Sequence, residues 1–298
     1  MKNINYKYQT FFIDLVDLIV KSTQEITTEY SQTNQVSSSS FSLIIKKCVD
    51  YINSLDTSCA MKKSKYHFII INQPYHLISN KIKFFNPVRY KNLDNYNEVF
   101  ISLLCEILKN YDDSFIIENL SLDELNEYIN KNKSSRKNLL ISRDMLWASY
   151  TTDKVFWNNY SLTLNKKSFL KYYKFDSTLD KIILSKVLLG QTPQDPNLLI
   201  GKILPKETIS DLINLYNDFD AFISNTHTLK LEPSLNTVIK DNLSLYRSNY
   251  QKIRSLMQYT FLDKKKINAS KNPFKIKLWY QILELPYEKW MRTNAKKK

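Results

Sequence analysis

The stretch "FFIDLVDLIV", residues 11–20, and the stretch "KYHFIIINQPYHLISNKIKFF", residues 65–85, hold the two densest apolar runs of the N-terminal third. Which period each one follows decides the fold. In the first, Phe11, Phe12, Leu15, Leu18 and Ile19 fall at helical spacing, which predicts a helix over residues 8–30. Asp14 and Asp17 interrupt the run, so it is neither a signal-peptide core nor a bilayer span. In the second, β-branched and aromatic runs lie on either side of "NQPY". Pro74 fits a turn and not a strand interior. The expectation is a small β-hairpin near residues 66–85, covered by helices because an isolated hairpin is not stable.

Between these stretches, "SQTNQVSSSS" (31–40) reads as a polar linker. A helix follows it, with Phe41, Ile44, Ile45, Cys48, Val49, Ile52 and Leu55 at steps of three and four. Further helices are expected at about 95–110 and at 122–131, the latter opened by a Ser121–Glu124 capping box. Residues 139–175 read as two helices, and 178–189 as a helix ended by Gly190. Residues 206–224 and 235–262 form a helical hairpin. Its seam of Ile239, Leu243, Tyr246, Tyr250, Ile253 and Met257 packs within the chain, not in a coiled-coil dimer. A last helix spans about 274–285.

Glycine is nearly absent. Gly190 and Gly201 are the only two in 298 residues, where average composition gives roughly twenty. Rossmann loops, P-loops and nucleophile elbows each need several glycines at fixed spacing, so all three are excluded. Helices need little glycine. The fold class expected is therefore mostly α, a multi-helix protein with a small hairpin. Its domains would be 1–190 and 206–298, joined by a linker at 191–205.

The net charge is +14. The abundance of Lys, Asn, Ile, Tyr and Phe is what AT-rich coding sequence produces, as in an organelle, a virus or a plasmid. The charge is nevertheless uneven. Residues 262–298 hold eleven Lys or Arg against three Asp or Glu, more than half of the total excess. A focused basic patch is what phosphate binding uses. The expected nucleic-acid contacts are Lys264, Lys265, Lys266, Lys271, Lys275 and Lys277, joined by Lys166, Lys167 and Lys171 and by Arg89.

Catalytic signals are thin. His67, His76 and His227 share no metal-ligand spacing, and His227 in its loop is the best placed as a base. Asp14 with Asp17, Glu25 with Glu29 and Asp218 with Asp220 read as solvated helical pairs. No catalytic residue, metal or cofactor is expected. Cys48, Cys59 and Cys105 form no CxxC pair, which suits a reducing compartment, cytoplasmic or inside an organelle, in a chain without a transmembrane segment. The function expected is a non-enzymatic, nucleic-acid-associated (RNA- or DNA-binding) protein that grips the phosphate backbone without sequence specificity. An interaction protein with an acidic protein partner is the alternative, and an unrecognised nuclease is a further one.

Overall fold

The computed structural model describes residues 8–30, 38–58, 65–71, 114–190, 198–199, 204–228, 231–258 and 265–268. In chain order the strands are β1 (Thr10–Asp14), β2 (Lys65–Ile71), β3 (Ser114–Leu120), β4 (Asn138–Ile141), β5 (Val155–Asn158), β6 (Thr163–Leu164) and β7 (Lys265–Asn268). The helices are α1 (Leu15–Tyr30), α2 (Ser38–Ser58), α3 (Leu122–Asn132), α4 (Lys166–Tyr173), α5 (Leu179–Leu189), α6 (Lys206–Leu215), α7 (Phe219–Asn225), α8 (Pro233–Asp241) and α9 (Leu243–Gln258). A 3-10 turn occupies Met145–Tyr150. The chain divides into two compact units. One comprises Met1–Leu120, Asn132–Leu139 and Thr260–Lys298, and the other Ser121–Lys131 and Leu140–Tyr259. Both sides of the expected 191–205 linker fall in the second unit.

The first unit is built on a mixed sheet in the order β4-β1-β2-β3-β7. β1 pairs with β2, and β2 with β3, in parallel, while β7 runs antiparallel to β3. This corrects the mostly-α expectation: the fold is α/β. It also corrects both opening readings. Residues 10–14 of the expected first helix are a strand, buried at all five positions. A parallel strand is covered on both faces, so it reads as a continuous apolar run with no period of two. β2 pairs with strands on both sides and is not an arm of a hairpin; residues 72–85 lie outside the described residues.

Side-chain rows lock the register. Phe12, His67 and Phe115 are partners across β1, β2 and β3, and their rings stack at 4.8 and 4.9 Å. That separation equals the spacing between neighbouring strands. On the next row Phe11 stacks on Tyr66 at 5.0 Å. Outside the sheet, Leu15, Leu18 and Ile19 of α1 and Ile44, Ile45, Cys48, Val49 and Ile52 of α2 are buried. The Cys48 Sγ lies 3.3 Å from Ser22 Oγ, and burial pushes its thiol up to about 12. Cys59, Cys105, His76 and the expected helices at 95–110 and 274–285 lie outside the described residues.

The second unit carries Leu140–Ile141 of β4, the antiparallel pair β5–β6 and helices α3 to α9. Residues 139–175, expected as two helices, thus hold three strands, the 3-10 turn and one short helix. The capping box at the start of α3 forms as expected. Ser121 N–H donates to Glu124 Oε2 at 3.1 Å, and Glu124 N–H to Ser121 Oγ at 3.2 Å. α5 ends at Gly190, whose φ of 67° and ψ of −145° suit a residue without Cβ. The expected helix 206–224 is two helices, because the Asp218 carboxylate caps a new one by accepting from Ala221 N–H at 2.7 Å. The expected helix 235–262 is likewise broken, at Asn242. Its seam does pack within the chain, as expected: Tyr250 stacks on Phe219 at 4.2 Å, and Tyr246 meets Phe222 edge-on at 6.1 Å. Asn249, fully buried, clasps one distant residue. It accepts from Leu199 N–H at 2.7 Å and donates to Leu199 O at 3.1 Å. No helix among the described residues is long and apolar enough to cross a membrane.

Two outcomes test this account. His67→Ala removes the middle ring of the three-strand stack and should lower stability by about 2–4 kcal/mol in denaturant titrations. At the start of α5, burial opposes the ionised form of Asp176. Hydrogen bonds from Lys181 Nζ at 2.7 Å and Thr178 N–H at 3.0 Å nevertheless hold its carboxyl below the usual range. A depressed carboxylate stabilises the fold above its unfolded value and loses that effect as pH falls through its folded one. Asp176→Asn should therefore destabilise at pH 7, by less than ~1 kcal/mol for so accessible a pair. The gap to the parent protein should close in acid, below the carboxylate range.

Candidate active site

In an open α/β sheet, ligands are received at the carboxyl ends of the parallel strands. The first unit places Asp14 there, as the last residue of β1. It is 7% exposed, and its Oδ1 accepts from Asp17 N–H at 3.0 Å, so the same carboxylate closes the strand and caps α1. Asp14 is in register with Ile69 of β2, and Ile69 with Ile117 of β3; Glu118 is the next residue along β3. Behind this edge, α1 and α2 carry a polar strip. Lys21 pairs with Glu25 and sits 5.7 Å from the Tyr51 ring centroid. Burial, and then the charge of Asp17, push the Tyr51 hydroxyl well above the usual tyrosine range.

The second unit has its own acidic corner, just past β4. The chain turns at Ser142–Asp144 into the 3-10 turn, and nearly every polar group of the turn is engaged. Ser142 N–H donates to Asn158 O at 3.1 Å, and Trp157 Nε1 donates to Ser142 O at 2.7 Å. Asp144 N–H donates to Ser142 Oγ at 3.1 Å. Asp144 Oδ1 then accepts from Leu146 N–H at 3.0 Å and from Lys186 Nζ at 2.6 Å. The Lys186 side chain is 5% exposed and that of Asp144 is 16% exposed. Lys186 belongs to α5, a helix buried along seven successive residues, Ile182 to Leu188. Nearby, Tyr150 donates its hydroxyl to Leu122 O at 2.7 Å. Burial, and then the charges of Asp144 and Asp123, raise that hydroxyl above its ordinary range.

The expected nucleic-acid residues are dispersed. Lys166, Lys167 and Lys171 lie on α4 in the second unit, all exposed. Lys167 has Asp153 at 3.8 Å, but both are so open to solvent that the pair contributes little. Leu170 and Tyr172, on the same helix, are large apolar side chains left 49% and 56% exposed. Lys265 and Lys266 are in β7, opposite Glu118 and Ile117 in the register with β3. Lys264, Lys271, Lys275, Lys277 and Arg89 lie outside the described residues. His227 is exposed just past the end of α7. His67 is the middle of the ring stack and 2% exposed.

The residues missed in the sequence are Asp14, Asp144 and Lys186. Asp14 was read with Asp17 as a solvated helical pair. Its signal was the run "TFFI" ahead of it, too short and too apolar for an exposed helix start.

Compared with solved structures, the chain is similar to the catalytic core of Rad2 in complex with a DNA substrate. The identity is 13%, over 100% of this chain and 95% of that one, with a TM-score of 0.54. It is similar to the T5 5'-exonuclease with zinc bound, at 14% identity, over 82% and 89%, TM-score 0.53. It is also similar to human GEN1 in complex with Holliday junction DNA, at 12% identity, over 97% and 71%, TM-score 0.53. No family model matches the sequence, and no curated protein is similar to it. The fold is thus the α/β fold found in 5' nucleases. The T5 protein that shares it is a 5'-exonuclease, which overturns the expectation of a non-enzymatic binding protein. Nothing supports the acidic protein partner, an RNA ligand in particular, or a compartment.

Divalent metal is present in the T5 5'-exonuclease structure, so the donor set here has to be weighed against such an ion. A two-metal centre gathers several acids around ions about 4 Å apart. Among the described residues, no three of His, Cys, Asp and Glu come together to hold a metal ion. Asp144 instead meets an ammonium group. The described side chains therefore do not fit a two-metal centre. Asp94, Asp112, Asp113 and Asp195 lie outside them.

Removing one partner of a buried ion pair leaves the other charge uncompensated, at about 3–5 kcal/mol. Lys186→Met should be destabilised by that amount. The double variant Asp144→Asn with Lys186→Met, which strands no charge, should recover most of the loss in thermal denaturation.

Proposed function

We propose that this chain is a nuclease acting on the phosphodiester backbone of DNA. The observation that carries the reading is a likeness over nearly the whole chain to two proteins solved with DNA, the Rad2 catalytic core with its substrate and GEN1 with a Holliday junction. It is supported by Asp14, a nearly buried carboxylate fixed at the carboxyl end of a parallel strand. A carboxylate held there orients a nucleophile or a cation at a reacting phosphate without having to reorganise.

The second part of the proposal is the surface that holds the nucleic acid. On α4, Lys167 and Lys171 are exposed at positions i and i+4, so they share a face, and Lys174 is exposed at the left-handed cap that ends the helix. The rise between Lys167 and Lys171 along the axis is about 6 Å, a spacing that a phosphate backbone can follow. Lys166 flanks the pair, and Tyr172 offers an exposed ring for a base. The lysines of the C-terminal segment, Lys264, Lys265, Lys266, Lys271, Lys275 and Lys277, with Arg89, extend the basic complement of the proposal. Each neutralised phosphate releases counterions, so affinity should fall steeply with salt.

The test uses end-labelled DNA with a 5' flap, a nick, a four-way junction or a single strand, in magnesium or manganese. Cleavage of at least one branched substrate is expected. Asp14→Asn keeps an acceptor for Asp17 N–H, so the fold should persist while the cleavage rate falls at least a hundredfold. Exchanging Lys166, Lys167 and Lys171 together for Ala should weaken binding about tenfold and flatten the salt slope. Tight binding with no product from any substrate would sink the nuclease reading. An unchanged slope would remove α4 from the interface.

A further inference from the structure

We infer that the cation at the Asp144 corner is the Lys186 ammonium, built into the chain, and that Asp144 holds no divalent metal. The inference deepens the nuclease reading and rests on it for the metal's relevance, but its geometry is complete within the second unit.

Four observations lead there. The first is the distance: 2.6 Å between Lys186 Nζ and Asp144 Oδ1 is a direct, charge-assisted hydrogen bond with no room for an ion between. The second is occupancy. The same oxygen also accepts from Leu146 N–H, so it enters any further coordination already carrying two donors. The third is anchoring. Lys186 cannot swing aside as a surface lysine does, because its helix is buried on both sides of it, from Ile182 to Leu188, and its own backbone carbonyl caps the helix by accepting from Gly190 N–H at 3.0 Å. The fourth is the turn itself. Ser142, Trp157 and Leu146 fix the backbone that presents the carboxylate. A magnesium ion needs oxygen ligands at about 2.0–2.1 Å in a near-octahedral shell. At this corner it would sit beside a fixed positive charge and compete for an oxygen already satisfied. A lysine ammonium meets the same carboxylate with no dehydration of a metal and no dependence on metal supply.

The cation at this corner is therefore supplied by the chain itself. Any divalent ion that serves phosphodiester cleavage is held by other acids of the chain, and Asp144 acts through the 3-10 turn and α5.

The experiment measures metal directly, without DNA, by manganese titration of the full chain followed by electron paramagnetic resonance. Asp144→Asn keeps the one oxygen that accepts from both Leu146 N–H and Lys186 Nζ. Its manganese affinity and stoichiometry should match the parent within about twofold, whatever the parent's own values. The double variant Asp144→Asn with Lys186→Met should match as well, and it covers the case in which the single variant folds poorly. A tenfold loss of affinity, or the loss of one bound ion, in a folded variant lacking the Asp144 carboxylate would overturn the inference. Failure of the nuclease reading shows instead as absence of cleavage, with no bearing on the manganese result.

Discussion

Parallel strands cannot be joined by tight turns. Each return must cross the full length of the sheet, and a helix is the usual way across. In the first unit this geometric demand sets nearly everything else. β1 and β2 run the same way, so α1 and α2 lie between them in the chain. With both faces needing cover, β1 is buried at every position, and a residue at its carboxyl end begins a helix at once. Asp14 stands at that switch and satisfies both elements with one carboxylate. A polar group at the edge where such sheets receive ligands is therefore also a structural cap.

The same demand explains why the sheet was hidden. Two glycines in the chain argue against folds made of tight turns and glycine loops. The step from there to a mostly-α protein does not follow, because helical crossovers use as little glycine as helical bundles do. "FFID" read as helix because the apolar residues of β1 run straight into those of α1, and a continuous apolar run carries no period to separate them. In the sequence His67 only flanks the apolar run of an expected hairpin; in the fold it is one rung of a ring stack, set by its register with Phe12 and Phe115. Where the information is local, the sequence reads well. The capping box at Ser121, the stop at Gly190 and the internal seam of Tyr246 and Tyr250 depend on neighbours within a few residues or on one clear stripe.

The site was less legible than the fold. Surface lysines announce themselves in composition, and α4 carries its share of them in the open. Asp14 and Asp144 are single residues, one at the end of a strand and one just past another. Their meaning comes from burial and from partners far along the chain, such as Lys186, forty-two residues beyond Asp144. Nothing in a helical stretch such as "LDKIILSKVLLG" distinguishes a lysine bound for solvent from one bound for a carboxylate. The hydrophobic residues on every side of it were the only clue.

Asn249 carries a different kind of specificity. By giving one donor and one acceptor to a single peptide unit, it does for Leu199 what an adjoining strand would do. It recognises main chain and is indifferent to the side chain attached there. Residue 199 is thereby released from selection on its identity while position 249 is held to an amide. A fastening of that kind lets the residue at 199 change its letter without losing its mooring.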